Sequence, residues 1–340
     1  MKRANTKARQ RTALLLCGSG VLLIAVCLCS VAIGSRPVSL DQIVTALTQS
    51  SAGGTALEAI RLRIPRTVLG VLLGVALASA GALMQAVTRN PLADPTILGL
   101  NSGASCAVVL SMAAFGLTSP SQYVWTALVG GGIGAAVVWW IGSLGKSGPN
   151  PLKLTLAGAV VGSMFSSVTS AVLLPRIDVI SSFRFWAVGG ISGARFSSML
   201  PLLPIFGVGM VLAIICIPGL NALALGDELA VGLGGSIRRI RLLSWTAAVL
   251  LCAASTSLAG PIGFVGLIVP HVARLIVGPD FRKILAAGVL LGPLLLVGAD
   301  VVGRLVSRPA DVEVGIVTAI IGAPVFIALV RSGFARRSSL

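Results

Sequence analysis

Long apolar segments separated by short polar connections occupy almost the whole chain. A helix needs about 20 apolar residues to cross the hydrocarbon core of a bilayer. Roughly ten segments come close to this length, at 13–33, 68–87, 97–115, 123–144, 154–174, 201–218, 242–259, 263–276, 284–303 and 313–330. The eighth is short enough to be tilted or partly re-entrant. The pattern predicts an all-α polytopic membrane protein with about ten transmembrane helices in a single transmembrane domain, residues 1–340.

The composition strengthens this prediction. Only 11% of the residues are charged and the mean hydropathy is +0.99, whereas about a quarter of a soluble domain is charged. The chain has 41 glycines, and small residues let membrane helices approach closely. Spacings that suit such contacts occur at Gly70/Gly74, Gly158/Gly162 and Gly288/Gly292, although a glycine-rich chain also produces them by chance.

The charges indicate an orientation. With a cytosolic N-terminus, 17 of the 26 lysines and arginines fall on the inner side and 9 on the outer side, and every lysine is inside. The positive-inside rule then places both tails, 1–12 and 331–340, in the cytosol. The net charge of +16 follows from this topology, so we expect membrane lipid, and no nucleic acid, as a partner.

Motifs for bond-making chemistry are missing. The sequence GKS at Gly145–Ser147 does not complete a P-loop motif, because Trp140 occupies the position where that motif needs a glycine. His271 is the single histidine, and the six cysteines lie in apolar runs, where small buried hydrophobic residues are expected. We therefore expect no catalytic residue, no metal and no cofactor bound by this chain.

A polar stripe marks the fifth apolar segment. Its serines recur at the spacing of one helical face, at Ser163, Ser166, Ser167 and Ser170. Serine packs well between membrane helices. The alternative interpretation is that the stripe forms one wall of a water-filled pathway that accepts polar cargo.

Two further groups of residues carry candidate functions. The connection at 219–241, predicted to be cytosolic, contains "ALGDELAVGLG", where Asp227 and Glu228 suit a helix N-terminus. Its apolar residues indicate contact with a soluble partner, with a solvated loop as the alternative. On the predicted outer side, Arg63, Arg66 and Arg304 lie beside the second and ninth segments. Interfacial arginine can snorkel, but arginine in outer connections also suits carboxylate recognition.

Four stretches together resemble the permease subunits of type II ABC importers, which carry ferric siderophores, haem or cobalamin across bacterial inner membranes. They are "RIPRTVLGVLLGVALASAGALMQAVTRNPLADPTILGLNSGAS", "ALGDELAVGLG", "LAGPIGFVGLIVPHVARL" and "VEVGIVTAIIGAPVFIALV". The resemblance covers nearly the whole chain in order. "RNPLADP", "LTLAG" and "FRFWAVGG" are most similar to ferric-siderophore permeases, and the "NPL" at Asn150–Leu152 differs from the Ser/Thr-rich version in the cobalamin permease.

The resemblance implies a role for each group. The three outer arginines would dock acidic residues of a periplasmic or lipid-anchored substrate-binding protein, and Asn90 and Leu92 would form a cytosolic gate. The fifth and tenth segments would line the pathway against a second permease copy or paralogue. ATP would be hydrolysed by separate cytosolic ATP-binding subunits, whose cleft would receive Leu225, Gly226, Asp227, Glu228, Leu229, Leu233 and Gly234.

Three alternatives remain at the level of the sequence. A haem or cobalamin permease of the same family shares most of these motifs. An ion-coupled secondary transporter usually carries ionisable residues in mid-membrane, whereas Asp300 lies near the outer end of its segment. A membrane enzyme needs converging acids, but Asp94, Asp227, Glu228 and Asp280 are scattered through connections.

Overall fold

The computed structural model describes residues 2–33, 55–95, 99–117, 119–144, 151–307 and 310–337, and contains helices but no strand within them. In chain order the helices are α1 (Lys2–Ala32), α2 (Thr55–Thr88), α3 (Leu100–Phe115), α4 (Pro120–Gly142), α5 (Pro151–Leu173), α6 (Ile177–Val188), α7 (Phe196–Met199), α8 (Leu203–Ile215), α9 (Ile217–Ala224), α10 (Asp227–Gly232), α11 (Ile237–Ala259), α12 (Val265–Val277), α13 (Phe281–Val306) and α14 (Val314–Arg337). A 3₁₀ turn, Leu200–Leu202, joins α7 to α8.

The predicted number and order of apolar segments are confirmed. Among the described residues, 7 helices are long and apolar enough to cross a membrane, and three shorter apolar helices, α3, α12 and the Val314–Ala328 part of α14, account for the remaining segments. Helix α12 has 13 residues, about 20 Å at 1.5 Å per residue, so the short eighth segment does not cover the hydrocarbon core alone.

The boundaries of several helices differ from the predicted segments. Helix α2 begins at Thr55, well before position 68, and α13 continues to Val306. Helix α1 begins at Lys2 and α14 ends at Arg337, so the described parts of both predicted tails continue a helix. The connection after α5 also contains a helix, α6, that the hydrophobic pattern did not predict.

The core is built around α2, which packs against α11, α12 and α13. Alternate small residues on α2, such as Ala78 and Ala80, are fully buried. At the crossing with α12, a Cβ on Gly81 would lie 1.8 Å from the carbonyl oxygen of Gly266, so only glycine allows this approach. At the crossing with α13, Gly74 faces Gly292, and both belong to spacings singled out in the sequence.

The two ends of α2 define two functional regions. The N-terminal end carries Arg63 and Arg66 and lies beside the C-terminal ends of α1 and α13. We name this region the arginine end. The C-terminal end leads into the turn at 89–95, beside α10 and the start of α11. We name that region the turn end. A helix of 34 residues is about 50 Å long, so the two regions lie on opposite sides of the membrane core.

Candidate functional site

The turn at 89–95 is built by local hydrogen bonds. Helix α2 ends at Thr88, and Arg89 has a φ of 49°, in the left-handed region that non-glycine residues rarely adopt. The Asn90 side-chain oxygen accepts a hydrogen bond from the Leu92 backbone at 3.0 Å, and the Asn90 carbonyl accepts one from Ala93 at 3.1 Å. The helix stops before Pro91, which cannot supply a backbone N–H to continue it.

A cavity of about 380 Å³ opens beside this turn. Its lining includes Asn90 and Leu92, together with Leu152 and Thr155 at the start of α5 and Trp245 on α11. Trp245 is buried and packs on Trp139, with ring centroids 5.1 Å apart. The structure thus brings both predicted gate residues and Leu152 of the Asn150–Leu152 segment to one cavity, while Asn150 lies outside the described residues.

The predicted coupling segment forms a short helix with an exposed apolar surface. Helix α10 is flanked by two glycines with positive φ, Gly226 at 125° and Gly234 at 81°. Leu229 is 58% exposed and Leu233 is 71% exposed, whereas Ala230 is fully buried. Asp227 and Glu228 occupy its first turn, as their acidity predicted. Exposed apolar side chains on so small an element indicate a surface that another molecule covers.

Asp227 connects three elements at the turn end. One carboxylate oxygen contacts Nη2 of Arg89, which follows α2, and the other lies 3.1 Å from Nη2 of Arg241 on α11. All three side chains remain partly exposed to solvent. Neither partner of Asp227 was predicted from the sequence. Arg89 is 138 positions away, and a pairing over that separation leaves no local signal.

The arginine end contains a buried ion cluster. Nε and Nη2 of Arg66 donate to one Asp300 oxygen at 3.0 and 2.8 Å, and Nη1 donates to Asp311 at 2.7 Å. Nη2 of Arg304 lies 2.8 Å from the other Asp300 oxygen, an ion pair without hydrogen-bond geometry. Asp300 is 1% exposed and Arg304 is 2% exposed. Asp300 is therefore shared by two guanidinium groups inside the protein, and Asp311 supplies a second carboxylate to Arg66.

Arg304 and its neighbour Arg63 donate hydrogen bonds to the carbonyls at the C-terminal end of α1. Arg304 donates to the carbonyl of Ser30 at 2.8 Å and of Ile33 at 3.0 Å, and Arg63 donates to the carbonyls of Val31 and Ala32. The last carbonyls of a helix have no partner inside the helix, and cations near them are favourable. Three helices, α1, α2 and α13, are joined in this way.

The predicted position of these arginines was wrong. Arg63 and Arg66 were expected before a membrane segment and Arg304 after one, as interfacial residues that either snorkel or recognise carboxylates. In the structure they lie within α2 and α13, are buried, and donate to carbonyls and carboxylates of the same chain. Burial is possible because Asp300 and Asp311 supply the opposite charge locally. Docking itself stays a prediction.

The serine stripe on α5 is confirmed as one exposed face. Ser163, Ser166, Ser167 and Ser170 are all exposed. The hydroxyls of Ser163 and Ser167 donate to the carbonyls of Ala159 and Ser163, each at 2.9 Å, so these two groups are satisfied within the helix. The face therefore tolerates an apolar neighbour as well as water.

A second, smaller cavity of about 160 Å³ lies between the end of α11 and the start of α14. Tyr123, Trp186, Ser192 and Glu313 contribute to its lining. Ser192 donates to one Glu313 oxygen at 2.6 Å, and the other oxygen has no hydrogen-bond partner among the described residues. The sequence analysis missed this contact, although Glu313 stands in a stretch that it quoted for its resemblance.

The cysteines fall into buried and exposed groups. Cys106, Cys216 and Cys252 are buried, as predicted, but Cys17 and Cys29 are exposed on α1. Their exposure follows from the position of α1 at the edge of the molecule, where lipid covers an apolar side chain. Within the described residues, no group of three or more His, Cys, Asp or Glu side chains converges as metal ligands do.

Ten apolar helices among the described residues, with one buried ionic end and one end carrying a cavity and an exposed short helix, are the features of a multi-pass membrane permease. The sequence profile of the FecCD transport family matches residues 22–332. The chain belongs to this family, which confirms the resemblance found in its motifs.

Relatives are similar over nearly the full length. The probable siderophore transport system permease protein YfiZ of Bacillus subtilis is 37% identical over 96% of this chain and 98% of its own. The ferric enterobactin transport system permease protein FepD of Escherichia coli is 38% identical over 92% and 93%. A solved chain, described as an inward-facing conformation of a metal-chelate type ABC transporter, superposes with a TM-score of 0.77 at 27% identity, covering 94% of this chain and 99% of that one.

Proposed function

We propose that this chain is the permease subunit of an ABC importer that moves a ferric siderophore across the bacterial inner membrane. The observation that carries the proposal is the similarity to permeases named for a siderophore or ferric enterobactin, which extends over 96% and 92% of this chain. The apolar helices supply the membrane pathway. The positive-inside distribution supports cytosolic termini and a cytosolic turn end.

ATP-binding subunits bind the turn end. Supporting this assignment, α10 exposes Leu229 and Leu233 and lies on the side that the charge distribution assigns to the cytosol. The energy source is ATP hydrolysis in those subunits, while this chain contributes the pathway and its gate. Asn90 and Leu92 form the gate, because the turn that contains them lines the cavity beside the start of α5.

A substrate-binding protein docks at the arginine end. Arg66 already has partners in Asp300 and Asp311, so a docking carboxylate has to exchange with one of them. Asp311 is the better candidate for exchange, since its side chain is 28% exposed and that of Asp300 is 1% exposed. Arg63 and Arg304 then act mainly by ordering the helix ends beneath the docked protein.

A second permease copy or paralogue covers the exposed face of α5. The face carries the four serines beside large apolar residues such as Val160 and Met164. This mixture suits a helix that touches another protein on one side and a polar pathway on the other.

Uptake by bacteria that contain the complete transport system tests the proposal. A bacterial strain that lacks its own permeases receives this chain with its ATP-binding subunit and binding protein. It is then offered ferrichrome, ferric enterobactin, ferric citrate, haem and cobalamin. We expect accumulation of at least one of the three ferric chelates, abolished when the ATP-binding subunit is inactivated. Uptake of only haem or cobalamin would contradict the substrate class, and uptake that follows an ion gradient without the ATP-binding subunit would contradict the importer.

A further inference from the structure

The contact between Asp227 and Arg89 joins the surface that faces the ATP-binding subunit to the turn that contains Asn90 and Leu92. Asp227 is the first residue of α10, and Arg89 is the first residue after α2. Their contact connects two parts of the chain that are 138 positions apart. Arg89 also immediately precedes Asn90, so a displacement of its side chain acts on the backbone of the turn.

The backbone on both sides of this contact is suited to movement. Gly226 and Gly234 flank α10 with positive φ, and a Cβ on either would meet no atom within 4 Å. Short elements bounded by such residues can rotate as units about the flanking dihedrals. Arg89 itself has a φ of 49°, a conformation that costs free energy for a non-glycine residue and needs support from its surroundings.

The second partner of Asp227 leads to the same cavity. Arg241 lies 3.1 Å from the other carboxylate oxygen. One turn further along α11, Trp245 lines the cavity with Asn90 and Leu92. Residues four apart on a helix share a face. The Asp227 carboxylate is thus connected to two walls of one cavity, the turn that follows Arg89 and the face of α11 that carries Arg241 and Trp245.

We propose that Asp227 transmits the motion of α10 to the gate, and that Arg89 and Arg241 are the positioning residues that receive it. The inference rests on the proposed function, since it assumes that α10 is moved by an ATP-binding subunit. The contacts are partly exposed, with side-chain exposures of 42% for Arg89 and 43% for Asp227. Exposed ion pairs are weak, and a weak pair can form and break in each transport cycle.

A double-mutant cycle tests the contact. Arg89→Gln and Asp227→Asn remove one charge each, and a third protein carries both changes. Leu92→Cys is introduced into the parent and into all three variants as a reporter. The rate at which this cysteine reacts with a hydrophilic maleimide measures the access of water to the turn. The proteins are assembled with the ATP-binding subunit, and labelling is compared with and without ATP. The parent with Leu92 intact gives the background from the native cysteines.

We expect ATP to change the labelling rate of the parent Leu92→Cys protein. Each single substitution should reduce that change about fivefold, the lower end of common coupling effects, while ATP hydrolysis continues. The ATP-dependent change in the double variant should be no smaller than in the more impaired single variant, because both substitutions remove the contact between Asp227 and Arg89. Arg89→Lys, which keeps the charge, should recover part of the response.

Two matched substitutions serve as controls. Arg282→Gln removes an exposed arginine at the start of α13, and Asp178→Asn removes an exposed carboxylate on α6. Both should leave the response to ATP unchanged. Effects of Arg89→Gln and Asp227→Asn that simply multiply in the double variant would overturn the inference, and so would a parent protein whose labelling ignores ATP. If no siderophore in the uptake panel were transported, that result would contradict the substrate assignment but not the role inferred for Asp227.

Discussion

At the residue scale, Asp300 shows how this fold accommodates charge inside a membrane helix. Its carboxylate is 1% exposed and lies between the guanidinium groups of Arg66 and Arg304. An isolated charge in such a place costs several kcal/mol, so each member of the cluster depends on the others. The cluster also joins α2 to α13, and through Arg304 to the end of α1.

Replacing Asp300 by asparagine should destabilise the protein strongly. The substitution preserves the shape of the side chain but leaves two buried arginines with less opposing charge. Breaking a buried pair costs about 3–5 kcal/mol, and chemical denaturation in detergent, followed by the helical signal, measures it. Asp178→Asn, at an exposed position on α6, is the matched control. An equal loss of stability in both variants would show that the cluster contributes little.

The residue types of this cluster were predictable from the sequence, but its geometry was not. Arginines beside the second and ninth apolar segments stood out, and carboxylate recognition was the expected chemistry. The carboxylates are supplied by the chain itself, from positions 234 and 245 residues away from Arg66. Pairings over such separations depend on helix packing, which no local pattern encodes. The same reason explains why the Arg89 partner of Asp227 was missed.

At the element scale, α2 contributes most to the core because its small residues allow close contacts on several sides. Its apolar run predicted a segment at 68–87, yet the helix begins at Thr55. The predicted segment began too late because Arg61, Arg63 and Arg66 interrupt the apolar run on its N-terminal side. Helix α6 was missed for a related reason, since its 12 residues mix polar and apolar side chains and fall below the length that marks a span.

Introducing a single methyl group at the α2–α12 crossing should be severe. In Gly81→Ala the new Cβ would lie 1.8 Å from the Gly266 carbonyl oxygen, so the two helices have to separate. Overpacking of this kind costs typically 1–3 kcal/mol, and more when backbone is the obstacle. We expect a loss of about 3 kcal/mol or more in the free energy of unfolding, measured by denaturation in detergent.

The matched control for that experiment is Gly207→Ala in α8. A Cβ at Gly207 meets no atom within 4 Å, and alanine is the better helix former by about 1 kcal/mol. This variant should be as stable as the parent or slightly more stable. Similar losses for both substitutions would mean that the close approach of α2 and α12 does not limit stability.

At the scale of the whole molecule, two kinds of exposed surface need different surroundings. Helix α8 exposes apolar residues such as Val208 and Val211, which lipid can cover. Helix α5 exposes four serines on one face. The sequence predicted this difference, because the period of the serines is that of a helix. It could not predict which helices surround α2, since all the apolar segments have similar composition.

Access to water distinguishes these two surfaces experimentally. Ser166→Cys should react with a hydrophilic maleimide in the membrane-embedded assembly, because the pathway proposed along α5 admits water. Val211→Cys, also exposed in the isolated chain but expected to face lipid, should react at least tenfold more slowly, since the reactive thiolate is suppressed in an apolar medium. The parent protein supplies the background from Cys17 and Cys29, which are exposed on α1. Equal protection of both positions would indicate that α5 faces lipid or a dry protein contact, and the serines would then serve helix packing alone.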